Sequence, residues 1–279
     1  MKLSEISLIV FFLLAQLPVS AQSLERIFTK GDRLIYLGYE ITRSAKPGAD
    51  SWTITIKKNG KTLERFESGS TMSKDWVKLG LFNFLGGQRK QLVVEGYSGG
   101  AHCCWEYRMI DLSPTYRVLY DSNDWDVGYG LDPVDLDKDG VFEFTQGIMT
   151  FDYFYVLSHA RSPFPSAIFK YDKKSGKYLP ANRLFPDEVS KNLTKDLAEV
   201  MRLSQNIRSN VYEYEEYVAA TLSAFLKYVY AGREPQAWTF FDAEYKLVDK
   251  PKLRLEIRKQ LRGCSIYNYI YPRRKRNRI

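Results

Sequence analysis

The chain has 279 residues with 44% hydrophobic and 15% aromatic side chains, a globular composition in which 20 Tyr and 16 Phe can fill a sizeable core. Its formal net charge of +8 does not describe a nucleic-acid surface. Arg273, Arg274, Lys275, Arg276 and Arg278 carry +5 of it within the last seven residues, and the rest of the chain is near balance.

Residues 1–21 read as a secretory signal. Lys2 opens it, Ile6 to Leu14 is an apolar run broken only by Ser7, and Val19-Ser20-Ala21 is a small-x-small cleavage box. Cleavage after Ala21 would make Gln22 the new N-terminus and send the mature chain to the periplasm or the exterior. The apolar run is short of the roughly 20 residues that span a bilayer. No Cys follows the box to carry a lipid, and no later window reads as a transmembrane segment.

Residues 22–77 are expected to form a β hairpin region. Arg33 to Thr42 is rich in strand formers, Trp52 to Lys57 alternates, and Asn59-Gly60 is a tight-turn pair before Thr62 to Phe66. Residues 78–185 are expected to form two β meander units. In the first, strands are predicted at Gln91–Tyr97, Cys104–Leu112 and Tyr116–Tyr120. In the second they fall around Phe142–Phe144, Phe151–Leu157, Ala167–Tyr171 and Tyr178–Leu179.

The two units look like copies. Asn83 matches Asp135 at an offset of 52 (135 less 83), and the same offset places Gln91-Leu92 on Glu143-Phe144. Farther on, Met109-Ile110-Asp111 matches Lys170-Tyr171-Asp172 after an insertion of nine residues in the second copy. Fixed-period self-similarity of this kind suggests stacked or propeller-like sheets.

The second unit contains Asp135-Leu136-Asp137-Lys138-Asp139-Gly140-Val141-Phe142-Glu143. Calcium takes six to eight oxygen ligands, and carboxylates at alternate positions of a short turn can supply them. Asp135, Asp137 and Asp139 have that spacing. Gly140 permits a sharp bend, Val141 can offer its carbonyl, and Glu143 closes the set. An EF-hand would place its bidentate Glu at the twelfth position, which here is Gln146. The opposing reading is an acidic turn that binds nothing.

On these residues the chain resembles the FG-GAP or VCBS type of repeat, which carries an Asp-x-Asp-x-Asp-Gly calcium loop between the first strands of a propeller blade. The resemblance implies Ca2+ at Asp135, Asp137, Asp139 and Glu143. It implies no metal in the first copy, where Asn83, Leu85 and Gly87 occupy the aspartate positions. The stretch Gly96 to Cys104 is similar to a segment of exported bacterial proteins of unknown function.

Residues 186–271 are expected to be helical. Val189, Leu193, Leu197 and Val200 mark one apolar face, and Tyr214, Val218, Leu222, Phe225 and Val229 a second. Pro235 and Pro251 are placed to start two more helices, the last ended by Gly263. Residues 272–279 form a basic tail that reads as a solvated end. The fold class is thus α+β, with antiparallel, blade-like sheets before a helical region.

Three cysteines, Cys103, Cys104 and Cys264, leave one unpaired in an oxidising compartment. Cys264 could bridge to Cys103 or Cys104, or these two could close on each other. His102 with the two thiols could hold copper or zinc, although neighbours on a strand point to opposite faces. His159, in Ser158-His159-Ala160-Arg161-Ser162, has no spacing that supports a Ser-His-Asp arrangement. Asp152, Asp124 and Asp126 could separately pair as acid and base for glycoside cleavage, although such carboxylates are common on surfaces. The aromatic residues Tyr97, Trp105, Tyr107, Trp125, Tyr129, Phe151, Tyr153 and Tyr155 belong to the core or to a contact surface for carbohydrate or an envelope protein. The sequence therefore reads as an exported calcium-binding structural or ligand-binding module, with a cell-envelope hydrolase as the alternative.

Overall fold

The computed structural model describes residues 28–29, 31–100, 105–205 and 211–272. The signal sequence, His102, Cys103, Cys104 and the tail arginines lie outside these residues. Thirteen described strands form three antiparallel sheets, and helices follow, so the architecture is α+β in the order expected.

The first sheet runs in the order β2 (Arg33–Tyr36), β3 (Tyr39–Ser44), β4 (Ser51–Lys58) and β5 (Lys61–Ser70). The region expected as a hairpin is thus a full four-stranded meander. Leu37 and Gly38, both with positive φ, split the strand-forming run from Arg33 to Thr42 into two paired strands. A short piece, β1 (Phe28–Thr29), joins the second sheet instead, beside β6 (Val77–Phe82). That sheet continues through β7 (Gln91–Tyr97), β8 (Trp105–Asp111) and β9 (Arg117–Asp121). The third contains β10 (Val127–Val134), β11 (Glu143–Ile148), β12 (Ser166–Asp172) and β13 (Lys177–Pro180).

The sheets stack because the middle one is apolar on both faces. Residues 91–96 of β7 are buried without a break, the pattern of a strand covered on both sides. Leu92 and Val94 join Val77, Leu79 and Ile110 against Tyr39, Ile41, Trp52, Ile54 and Ile56 of the first sheet. Val93, Phe82, Met109 and Leu119 point the other way, into a core shared with the third sheet and the helices. There the ring of Tyr120 lies 4.8 Å from those of both Phe144 and Phe169.

The helical region comprises α1 (Pro186–Val189), α2 (Leu193–Ser204), α3 (Val211–Tyr230), α4 (Glu234–Glu244), α5 (Lys250–Gly263) and α6 (Ser265–Ile270). Pro235 and Pro251 sit in the first turns of α4 and α5, where a missing N–H costs nothing. Asn192, in the left-handed region, separates α1 from α2. Helices α1 and α3 lie on β12, and α6 on β13. None of the described helices is long and apolar enough to cross a membrane.

One carboxylate gathers three hydroxyls where this layer meets the sheets. Tyr155, in the 17-residue connection 149–165 between β11 and β12, donates to Asp249 at 2.8 Å. Tyr214 of α3 donates to the same carboxylate at 2.6 Å, and Tyr245 at 3.0 Å. Burial works against the Asp249 charge, but the three hydroxyls, Tyr214 first, outweigh it and hold its pKa below the ordinary value. A depressed carboxylate stabilises the fold above its unfolded pKa of about 3.9 and loses that contribution as pH falls through its folded pKa. Asp249→Asn should therefore cost about 2 kcal/mol at pH 7. The gap to wild type should close as the pH falls through that depressed folded pKa, which denaturant melts across pH would measure.

Candidate metal centre

Loop 135–142 connects β10 to β11, and its carboxylates first fold the loop itself. Asp135 accepts from the backbone N–H groups of Asp139 and Gly140, both at 3.1 Å. Asp139 accepts from Val141 N–H at 2.8 Å. Lys138 (φ 61°) and Gly140 (φ 83°) make the bend in the left-handed region, which a glycine enters at little cost. Glu143, the first residue of β11, is fully buried, and its Oε2 accepts from Leu136 N–H at 2.9 Å.

The turn gathers oxygens as the alternating spacing requires. Asp135, Asp137 and Glu143 each bring a carboxylate oxygen within 4.8 Å of the others. Asp139 stands beside this trio and outside it, and Val141, expected as a carbonyl ligand, is at the exit of the turn with its N–H on Asp139.

A residue that the sequence did not single out completes the cluster. The Lys170 ammonium lies 2.6 Å from Glu143 Oε1, 2.8 Å from Asp137 Oδ2 and 3.1 Å from Asp139 Oδ2. The register explains its arrival: Phe144 pairs with Phe169, so Glu143 stands opposite Lys170 across the β11–β12 ladder. Burial opposes the Lys170 charge, but the carboxylates, Asp137 and Glu143 first, overcome it and push the pKa up. For Glu143 the balance goes the other way. Burial raises its pKa by more than Lys170 and the Leu136 N–H lower it. Asp139, more exposed, is held low mainly by the Val141 N–H, with Lys170 adding to it. The donor set fits a hard divalent cation, which favours carboxylate oxygens, and it equally fits the ammonium that it holds here.

The corresponding loop of the second sheet, residues 83–90, lies directly against this one. Phe142 N–H donates to Phe84 C=O at 2.8 Å. Leu85 N–H donates to Gln91 Oε1 at 3.1 Å, as Leu136 N–H does to Glu143. Gly86 takes positive φ where Lys138 does, at the offset of 52 read from the sequence. The offset also relates β7 to β11 (91 to 143), and the later one relates β8 to β12 (105 to 166, 61 residues). The first-copy loop has no acidic cluster; Asn83 instead donates to Gly87 C=O at 3.2 Å.

The other candidates are placed as follows. Asp152 and His159 are in contact, Nδ1 to Oδ1 at 2.7 Å, and Asp126 accepts from Ser265 N–H at 2.6 Å. Asp124 ends a short 3-10 turn. Tyr107 and Phe151 are buried in the core, while Tyr153 is 60% exposed. Cys264 is a free, buried thiol that accepts from Tyr230 OH at 3.2 Å. Its expected partners Cys103 and Cys104, and the His102 metal set with them, lie outside the described residues. A cavity of about 580 Å³ opens between β12, β13 and α6, lined by Lys170, Tyr171, Arg183 and Tyr269; His159 is not among its walls.

Comparison of the chain with family models, with curated proteins and with solved structures gives no match.

The two loops touch through backbone, and this can be measured. A Cβ on Gly86 would collide with the Gly140 carbonyl, whereas one on Gly87 meets nothing within 4 Å. Both glycines have positive φ, a strain of roughly 1–2 kcal/mol for alanine. Gly86→Ala should therefore lower stability by a further 1–3 kcal/mol or so compared with Gly87→Ala, as equilibrium denaturation of the two variants would show.

Proposed function

We propose that the protein is an exported binding module whose acidic loop takes up calcium in exchange for the Lys170 ammonium. The observation that carries this reading is the convergence of Asp135, Asp137 and Glu143 on a place where a positive charge already sits. One lysine shared among three carboxylates leaves buried Glu143 with a raised pKa. A divalent ion would supply the charge that the lysine does not. Oxygen donors with no nitrogen or sulfur ligand favour calcium over a transition metal. The resemblance of the loop to FG-GAP or VCBS repeats points the same way, and we read the second and third sheets as two such units.

In this reading the ion has a structural role. It would clamp loop 135–142, and through Phe142 and Phe84 the neighbouring loop, at one end of the stacked sheets. Asp135, Asp137, Asp139 and Glu143 would hold the ion. Export follows from the signal-like first 21 residues, and extracellular sites commonly work at ~0.1–1 mM calcium.

Melting in chelator and in millimolar calcium tests the proposal. Wild type should gain stability, by about 2.7 kcal/mol at a hundredfold excess over Kd. Magnesium should substitute poorly, because it holds its waters and wants a tighter octahedron. Asp137→Ala should abolish most of the gain and Asn83→Ala should leave it intact. Lys170→Gln should melt lower than wild type in chelator and gain more from calcium, since the competing ammonium is gone. A wild type indifferent to calcium would overturn the reading, and calcium binding by Lys170→Gln alone would show that the lysine is the permanent cation.

A further inference from the structure

Consecutive loops of a meander lie at opposite ends of their sheet, so connection 149–165 is at the end away from the acidic loop. This end is rich in aromatic rings. Tyr153 is 60% exposed and its ring lies 5.6 Å from that of His159. Tyr129, on the irregular start of β10, places its hydroxyl 3.3 Å from His159 Nε2. Asp152 accepts from Nδ1 of the same histidine at 2.7 Å. Tyr97, at the end of β7, and Trp76, in the 3-10 turn Lys74–Trp76 before β6, contribute an edge-to-face pair with centroids 5.0 Å apart. Burial first, then Asp152 and Tyr97, raises the Tyr129 pKa further above neutrality, and its phenol, like any tyrosine there, carries a proton to donate.

The backbone marks the same place. Tyr129 (φ 49°), Tyr153 (φ 48°) and Tyr155 (φ 60°) occupy the left-handed region, which is rare for bulky residues and concentrates at binding and catalytic sites. The connection is firmly held in this form. Tyr153 N–H donates to Ser162 Oγ at 2.9 Å, Ser158 N–H and Oγ both donate to Glu215 of α3, and Tyr155 is tied to Asp249. Phe164 backs both Tyr129 and His159, at 5.8 and 5.3 Å. An exposed ring fixed by strained backbone is preorganised, so little side-chain entropy remains to be lost on binding.

We infer that this end of the stack is a carbohydrate-binding site, in which Tyr153 stacks on a pyranose ring while the Asp152–His159–Tyr129 chain hydrogen-bonds its hydroxyls. The ligand chemistry follows from the parts. A flat exposed ring matches the C–H face of a sugar, and the polar chain at its edge matches equatorial hydroxyls. Asp152 accepts from Nδ1, Nε2 faces the Tyr129 hydroxyl, and the Tyr129 oxygen has two lone pairs with which to meet a ligand hydroxyl. With Tyr153 60% exposed, a chain lying across the surface suits the site better than a small molecule enclosed in it. A β-1,4-linked hexopyranose chain presents such flat faces in succession.

Isothermal titration of the full chain with two β-1,4-linked hexamers, one of glucose and one of N-acetylglucosamine, tests the inference. At least one should bind. Tyr153→Ala should weaken that binding about tenfold with an unchanged melting temperature, and Tyr153→Phe should restore it. Asp152→Asn should also weaken binding, because it removes the charge that orients His159. The titration should give the same result in chelator, which separates this site from the calcium loop. No binding of either hexamer at millimolar concentration, or a Tyr153→Ala protein that binds as wild type does, would overturn it.

Discussion

A buried carboxylate must meet a cation, and Glu143 is where this protein meets that demand. The side chain is out of water, and leaving its charge uncompensated there would cost several kcal/mol. Lys170 answers it across the ladder, which is possible only in the register that pairs Phe144 with Phe169. The same register turns both phenylalanines toward Tyr120 of the middle sheet. A slip of one residue would reverse every side chain on β12, sending Lys170 away from the acids and Phe169 away from the core. The charge and the packing therefore specify one another.

The three sheets also divide the molecule into two chemically different ends. At one, loops 83–90 and 135–142 touch through Phe84, Gly86, Gly140 and Phe142, and one loop is rich in carboxylates while the other carries Arg89 and Lys90 and no acid. At the opposite end the connections carry rings and a histidine–carboxylate pair. Between the two ends, β7 is buried on both faces. The nine-residue insertion noticed in the sequence is what separates the units in kind. Strand β7 ends at Tyr97 and β8 begins at Trp105, whereas the β11–β12 connection uses 149–165 and has room for Asp152, Tyr153, Tyr155 and His159.

Much of this was legible in the sequence, and for definite reasons. At the offset of 52 the two loops share a bend, with Gly86 and Lys138 both in the left-handed region. The helices followed from prolines at their starts and a 3.6-residue apolar period. The first sheet was under-read, because Leu37-Gly38 is a weak turn signal inside a run of strand formers. The short strand expected at Phe151 to Leu157 is instead a run of turns with Tyr153 and Tyr155 at positive φ, a conformation that residue preference argues against. Lys170 was invisible for another reason: nothing local distinguishes it from other strand lysines, and only the pairing of β11 with β12 brings it to the acids. The contact of His159 with Asp152 depends in the same way on how the insertion folds back on itself.

The Asp249 node has a consequence for how the chain can be divided. Its three tyrosines come from the β11–β12 connection, from α3 and from the turn after α4. The helical region is therefore part of what shapes the aromatic end, and Ser158 on Glu215 and Thr150 on Gln260 repeat the connection. A fragment ending near residue 185 would keep every strand of the three sheets and lose the groups that hold 149–165 in place. The helices and the 149–165 connection thus constitute one cooperative unit in the sense of hydrogen exchange. Opening α3 or α5 should expose amides in the connection together with their own, while the middle sheet stays closed.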